Sequence, residues 1–388
     1  MKKILHYVGL MDRGGMEMVI MNLFRHIDRT KLMFDFAIHG TRVGDFQEEI
    51  QSLGGSWYFF PPMRKNPIRY RKAWRAFWKA HAKEYCAFHF HTNSLANVIA
   101  LEEATRAGVP IRIIHSHSSM SNKGYLQWLN DILHKAHQKK LPVLATHLFT
   151  CSDKAALWLF GDVKFDTLPV IQINNGIDIE KFRYNETHRQ QIRSTSGLDG
   201  LKVVGHIGAF LPVKNHKFLV DVIEKAFQMD SSVRCVLLGQ GRMFGEIKEL
   251  VATRKLNDVI LFMGMQDNVS AWLSAMDVFI MPSLYEGLPV SLIEVQANGL
   301  PAIVSDTITD AVKLQENMYY KALSDGPTEW AKEIIKVMDS GCRVQNSDCI
   351  ASGGFDITES AKLYEKIIYE NIGGDGADAA IECNCSRI

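Results

Sequence analysis

Short apolar runs recur along the chain, each closed by a polar or glycine-bearing turn and followed by a stretch with helical spacing. Residues 4–8, 34–38, 57–60, 88–91, 111–114, 147–151 and 170–174 have the length and content of buried strands. Between them the apolar period changes. From residue 16 to 27, Val19, Ile20, Leu23, Phe24 and Ile27 share one helical face. Helices are also predicted over 95–107, stopped by Gly108, and over 153–160, stopped by Gly161. The grammar restarts at residues 202–207. Strands are predicted at 233–238, 259–263, 278–281 and 302–304, and helices from His216 to about Met229 and over 269–275, 290–298 and 358–370. Strands alternating with helices imply parallel sheets with helical crossovers, and two successive arrays imply an α/β protein of two doubly wound domains. Residues 1–178 form the first, 179–356 the second, and 357–388 a terminal helix and tail; residues 185–200 read as linker or surface helix and 373–388 as disordered.

The most informative stretch is VFIMPSLYEGLPVSLIEVQANGLPAIVSD, residues 278–306. Pro282 ends an apolar strand. Pro289 fits the first helical position, Gly299 the helix stop, and Pro301 forbids continuation. A loop and helix start at a strand's carboxyl end form an anion site. Within the segment Gly287, Leu288, Pro289, Val290 and Ser291, the free backbone amides of Leu288, Val290 and Ser291 point there, at the positive end of the helix dipole. Glu286 lies just before the helix. Glu294 lies one turn inside, among residues apolar nearly all round, where an acid needs a partner. Taken singly, Glu286 fits a dipole-stabilising acid and Glu294 half of an ion pair. Together, beside an anion site, they fit acceptors for sugar and ribose hydroxyls.

Gly14 and Gly15 open the first helix, where amides approach a ligand or simply make the turn; the spacing is not that of a dinucleotide fingerprint. Gly239 belongs to a second permissive turn, Gly239-Gln240-Gly241. Residues 64–83 carry Arg64, Lys65, Arg69, Arg71, Lys72, Arg75, Lys79 and Lys83 with no acid, and Tyr70, Trp74, Phe77 and Trp78 at helical spacing. This fits a helix on an anionic membrane surface, or a crossover helix with a solvated basic face. His89, His91, His115 and His117 end two strands; without carboxylate or cysteine at ligand spacing, no metal is expected.

Length fits two domains. A net charge of +1 removes the global case for nucleic acid. Seven scattered cysteines without zinc spacing fit a reducing cytoplasm. The N-terminal apolar run is too short for a signal peptide, and no run reaches the roughly 18 residues of a membrane span.

The frame Glu286-x7-Glu294 within PSLYEGLPVSLIEVQANGLP closely resembles the donor-site signature of the retaining glycosyltransferases of family 4, which have the GT-B fold. The Gly14-Gly15 loop, the NNGID segment at 174–178 and the Lys214-Asn215-His216 segment extend the resemblance over nearly the whole chain. It implies two Rossmann-like domains facing across a cleft, acceptor side first and nucleotide-sugar side second, with the terminal helix crossing back to the first. It implies a nucleotide diphosphate sugar as donor, most often a UDP-sugar, and no cofactor or metal. Lys214 would hold the diphosphate with the amides of 287–291, Glu286 the donor sugar, Glu294 the ribose, and His117 would contact the sugar. Acceptors would be polysaccharides or lipid-linked saccharides at the inner face of the cell membrane. One position departs from the pattern: Ala209 stands where the family carries an arginine, five residues before the lysine. A weakly active or non-catalytic sugar-nucleotide-binding partner is therefore the alternative. The full glutamate motif speaks against a third class, a sugar-nucleotide epimerase.

Overall fold

The computed structural model describes residues 1–117, 127–161, 168, 170–341, 343–344 and 346–372. The polar stretch that follows His117, residues 118–124, and the expected disordered tail lie outside them. The chain forms two compact units, Met1–Asn174 joined by the stretch from Thr358 onward, and Asn175–Ile357.

In chain order the first unit runs β1 (Lys2–Val8), α1 (Gly15–His26), β2 (Leu32–His39), α2 (Gln47–Ser52), β3 (Trp57–Phe60), α3 (Pro67–His81), β4 (Tyr85–Thr92), α4 (Ile99–Arg106), β5 (Ile111–Ser116), α5 (Gln127–Gln138), α6 (Leu141–Leu144), β6 (His147–Thr150), α7 (Asp153–Phe160) and β7 (Val170–Gln172). Its strands form one parallel sheet in the order β3-β2-β1-β4-β5-β6-β7. Parallel strands covered on both faces need near-continuous apolar runs, and β2 is buried over all but its last residue. The direction of strand addition reverses between β1 and β4, so the ends of those strands are where such a sheet receives a ligand.

The structure places the aromatic stripe of α3 in the core. Asn66 caps it by accepting a hydrogen bond from the Arg69 amide, and Pro67 opens it. Tyr70, Trp74, Phe77 and Trp78 are buried, with Trp74 stacked on Phe60 at 3.8 Å between ring centres. No aromatic face is left for lipid. The acids missing from the local sequence come from α4: Arg71 reaches Glu102 at 2.7 Å, and Arg71, Arg75 and Arg106 surround the buried Glu103 at 3.3, 3.0 and 2.6 Å.

The second unit runs α8 (Ile179–Phe182), α9 (Glu186–Thr195), β8 (Lys202–Ile207), α10 (His216–Met229), β9 (Val233–Leu238), α11 (Phe244–Thr253), β10 (Ile260–Gly264), α12 (Val269–Ala275), β11 (Val278–Met281), α13 (Val290–Ala297), β12 (Ala302–Ser305), β13 (Met318–Lys321), α14 (Gly326–Ser340) and α15 (Ser347–Ser352). Its parallel sheet has the order β10-β9-β8-β11-β12-β13, which repeats the reversal between β8 and β11. The stretch expected as linker or surface helix is α9, tied to the sheet by Arg189 and Arg193, each 2.6 Å from Asp277. The last helix, α16 (Ile357–Ile372), belongs to the first unit from Thr358 on, where the Tyr364 hydroxyl lies 2.9 Å from His89 Nδ1. Among the described residues no helix is long and apolar enough to cross a membrane.

Candidate donor site

The site is built where β8 and β11 end side by side. After β8 the chain passes Gly208 and the exposed Ala209, makes a tight turn over Pro212–Lys214, and enters α10 through Asn215 in the left-handed conformation at φ +57°. Backbone contacts fix this loop. The Phe210 amide donates to Gln240 at 3.0 Å and the Gly208 amide to Leu238 at 3.0 Å. Gly239 sits at φ +139°, where an added Cβ would lie 2.1 Å from the Gly208 carbonyl oxygen, so the two loops close only over a glycine. Gly239 thus shapes the loop that carries Lys214. Phe210 stacks on His216 at 4.1 Å and anchors the same loop from behind.

Two hydrogen bonds join this loop to the one after β11: the Leu284 amide to Val213 at 2.8 Å, and the Asn215 side-chain amide to Pro282 at 3.1 Å. The lysine stem lies over Gly208, where a Cβ would meet Lys214 Cδ and Cε at 3.4 Å. Lys214 Nζ ends 2.7 Å from Glu286 Oε1, with the two side chains 15% and 13% exposed. The contact is close but lacks hydrogen-bond angles, so Oε1 remains without a hydrogen bond. It is an ion pair by distance, held where water is scarce.

α13 begins at Val290, the expected start, with Pro289 as the preceding cap residue rather than the first helical one. No side chain caps this end, so geometry leaves its first amides without intrahelical partners. Leu292, Ile293, Val295, Gln296 and Ala297 are buried. Glu294 is half-buried. Burial pushes its carboxyl up to about 7, against a weaker downward pull from Lys181 on α8. Among the described residues its carboxylate has no hydrogen-bond or ion-pair partner. A desolvated acceptor without a protein donor is suited to hydroxyl groups that arrive with a ligand.

In the first unit, Gly14 caps α1 in an extended conformation, and an added Cβ at Gly15 would meet nothing within 4 Å. Backbone there is open to approach. Glu17 occupies the same first turn, which favours a hydroxyl over a phosphate at this helix start.

His117 lies just past the end of β5 in a chain of rings. Its Nε2 is 2.7 Å from His91 Nδ1, and His91 Nε2 is 2.9 Å from His6 Nδ1. A second chain runs from His115 through His89, at 3.2 Å, to Tyr364. Burial lowers all five histidines, His6 and His117 to about 3, so the chains are neutral at pH 7. Each neutral ring has one donor and one acceptor nitrogen, so one proton assignment dictates the next along a chain. Two triads, His6/His89/His91 and His91/His115/His117, bring ligand nitrogens within 4.8 Å of one another. Several of those nitrogens already bond to each other, and a metal would have to displace these contacts. His6 and Lys181 were not among the expected site residues. Alternate spacing of His89/His91 and His115/His117 does signal a shared sheet face. The structure thus unites Lys214, Glu286 and Gly239 within the second unit, and places Gly14, Gly15 and His117 in the first.

Two family descriptions match: Glycosyltransferase Family 4 over residues 13–181 and Glycosyl transferases group 1 over residues 201–340. EpsF of Bacillus subtilis (strain 168) is 34% identical over 343 residues, 88% of each chain. The capsular polysaccharide biosynthesis glycosyltransferase CapH of Staphylococcus aureus is 24% identical over 95% of this chain and 98% of its own. Among solved structures, Anabaena HepE in complex with UDP-glucose superposes with a TM-score of 0.74 at 19% identity, over 95% of this chain and all of that one, and so shares the fold. Paired doubly wound units with a charged site at a strand reversal define the chain as a GT-B protein. It belongs to glycosyltransferase family 4.

Proposed function

We propose that this glycosyltransferase moves a sugar from a UDP-sugar, with retention, to a polysaccharide or lipid-linked saccharide acceptor in the cytoplasm. The observation that carries the reading is the Lys214–Glu286 pair at the β8/β11 reversal, with unpartnered Glu294 one turn into α13. Lys214 and the uncapped start of α13 supply positive charge for a leaving diphosphate, the role a metal plays elsewhere. Glu286 accepts from donor-sugar hydroxyls once Lys214 turns to phosphate, and Glu294 accepts from the ribose diol. His117 contacts the sugar, Gly14 and Gly15 bring backbone to the ligand, and Gly239 holds the phosphate loop. CapH, named for capsular polysaccharide, and HepE, solved with UDP-glucose, support the acceptor and donor classes. No protein nucleophile is assigned, and the acceptor attacks from the leaving-group side.

A panel of nucleotide sugars, screened by mass spectrometry for UDP release and for transfer, tests this; turnover of no UDP-sugar would refute it. Ala209 favours a second reading, a binding partner without turnover, which the same panel separates: UDP binds and nothing is released. Glu294→Ala is expected to weaken UDP binding by about 1.5–3 kcal/mol, the value of a hydrogen bond to a charged group. Calorimetry with UDP measures it, and unchanged affinity would remove Glu294 from the ribose.

A further inference from the structure

His117 keeps one ring nitrogen for a ligand. Its Nε2 lies on His91, and its Nδ1 is buried without a hydrogen-bond partner among the described residues. Whether that nitrogen is a bare acceptor or an N–H donor is decided at the far end of the chain of rings. Three neutral rings in a row have two proton assignments. In the first, every Nε2 carries the hydrogen. His117 then donates to His91, His91 donates to His6, and His117 Nδ1 is a bare acceptor. In the second, every Nδ1 carries it, the donations run the other way, and His117 Nδ1 is an N–H. His6 Nε2 is an N–H in the first assignment and a lone pair in the second. That atom is also buried without a hydrogen-bond partner. The His6 ring packs 4.0 Å from Phe34 and 5.8 Å from Phe36, between ring centres. Aromatic faces are negative, so they accept an N–H weakly and repel a lone pair. The second assignment also buries an N–H without an acceptor at His117, the costlier way to end a chain. The first assignment wins at both ends.

We propose that His6, acting through His91, is a positioning residue that holds His117 in the Nε2–H form, with Nδ1 an acceptor for a hydroxyl of the bound sugar. A bare nitrogen takes a hydroxyl and refuses an ionised phosphate oxygen or an ether oxygen, which have no hydrogen to give. His6 thus sets what His117 can recognise from two rings away. The inference rests on the reading that His117 contacts the sugar. The second chain supplies a control: His115 and His89 end on the Tyr364 hydroxyl, which bonds His89 and no ring of the first chain.

The test is long-range proton–nitrogen NMR of the full-length protein carrying isotope-labelled histidine, at neutral pH and without substrate. His117→Gln identifies the His117 signals by their loss. Native His117 should show a bare Nδ1 and a protonated Nε2. His6→Leu removes the acceptor for His91 and should leave His117 a mixture of both forms. His6→Asn returns an acceptor where Nδ1 stood and should restore the native signals, and Tyr364→Phe should not move them. With a UDP-sugar that the donor panel turns over, His6→Leu should lower kcat/KM about fivefold, the scale of one hydrogen bond. His6→Asn should recover that loss, and Tyr364→Phe should match the native rate. A protonated Nδ1 in native His117 overturns the proposal, and so does a His6→Leu chain, folded by circular dichroism, with native His117 signals or native kcat/KM. If no UDP-sugar turns over, the donor reading falls, while the spectra still decide whether His6 sets the form of His117.

Discussion

Lys214→Ala is expected to lower sugar transfer on the order of 10²–10³-fold or more, the scale of losing one preorganised charge-stabilising group in an active site. Two effects act together. The leaving diphosphate loses the cation brought to the β8/β11 reversal. Glu286, 2.7 Å from that ammonium and itself only 13% exposed, becomes an unpaired carboxylate at the place where phosphates arrive. The second effect is separable. Lys214→Ala/Glu286→Gln should recover part of the UDP affinity lost by Lys214→Ala, because the repulsion is gone, yet recover no turnover. Neighbouring Ala209 supplies the converse. It is exposed on the loop that the Gly239 turn holds in place, so an arginine there has room and a fixed base. Its planar fork can take two phosphate oxygens where lysine offers a point charge. Ala209→Arg should raise the rate and tighten UDP binding. Initial rates and calorimetry measure both. If Ala209→Arg gains nothing while Lys214→Ala transfers sugar at the native rate, this loop does not hold the diphosphate.

Much of this site was legible because its signals are local. A strand closed by Pro282, a helix opened near Pro289 and stopped at Gly299, and two glutamates in that frame all lie within a few turns of chain, and the structure keeps the helix start at Val290 and ends it one residue early, at Ala297. The Lys214–Glu286 contact was not legible, since it depends on β8 and β11 being neighbours although two strands and three helices lie between them in the chain. The histidine chains have the same cause: His6, His91 and His117 meet because β1, β4 and β5 are adjacent in the sheet. Nor could the local sequence show that acids from α4 pair with Arg71 and Arg75 of α3.

The buried histidines make the protein acid-labile. His6 and His117 are pushed down to about 3 and His39 and His216 to about 4 by burial, and His89, His91, His115 and His206 lie well below their ordinary 6.5. A folded value below the unfolded one means that the unfolded chain binds the extra proton. The stability these groups allow is therefore fully present above pH 6.5 and is lost as pH falls toward the folded values. Each such histidine costs about 2 kcal/mol at pH 5, from 1.36 kcal/mol per pH unit below 6.5. A few together match the roughly 5–15 kcal/mol that holds an ordinary domain, even after coupling within a chain of rings reduces the sum. Glu294 works in the opposite direction: raised to about 7, it takes up its proton in the folded state and gains stability on acidification, but it is one group against several. Six of the eight histidines lie in the first unit, and only His206 and His216 in the second. Calorimetric scans between pH 7.5 and 5 should show the melting temperature fall steeply below pH 6.5, and the transition should split as the first unit melts ahead of the second. A melting temperature constant from pH 7 to 5 would mean that these rings are hydrated or protonated in the native protein, and the neutral chain ending at His117 would have to be abandoned.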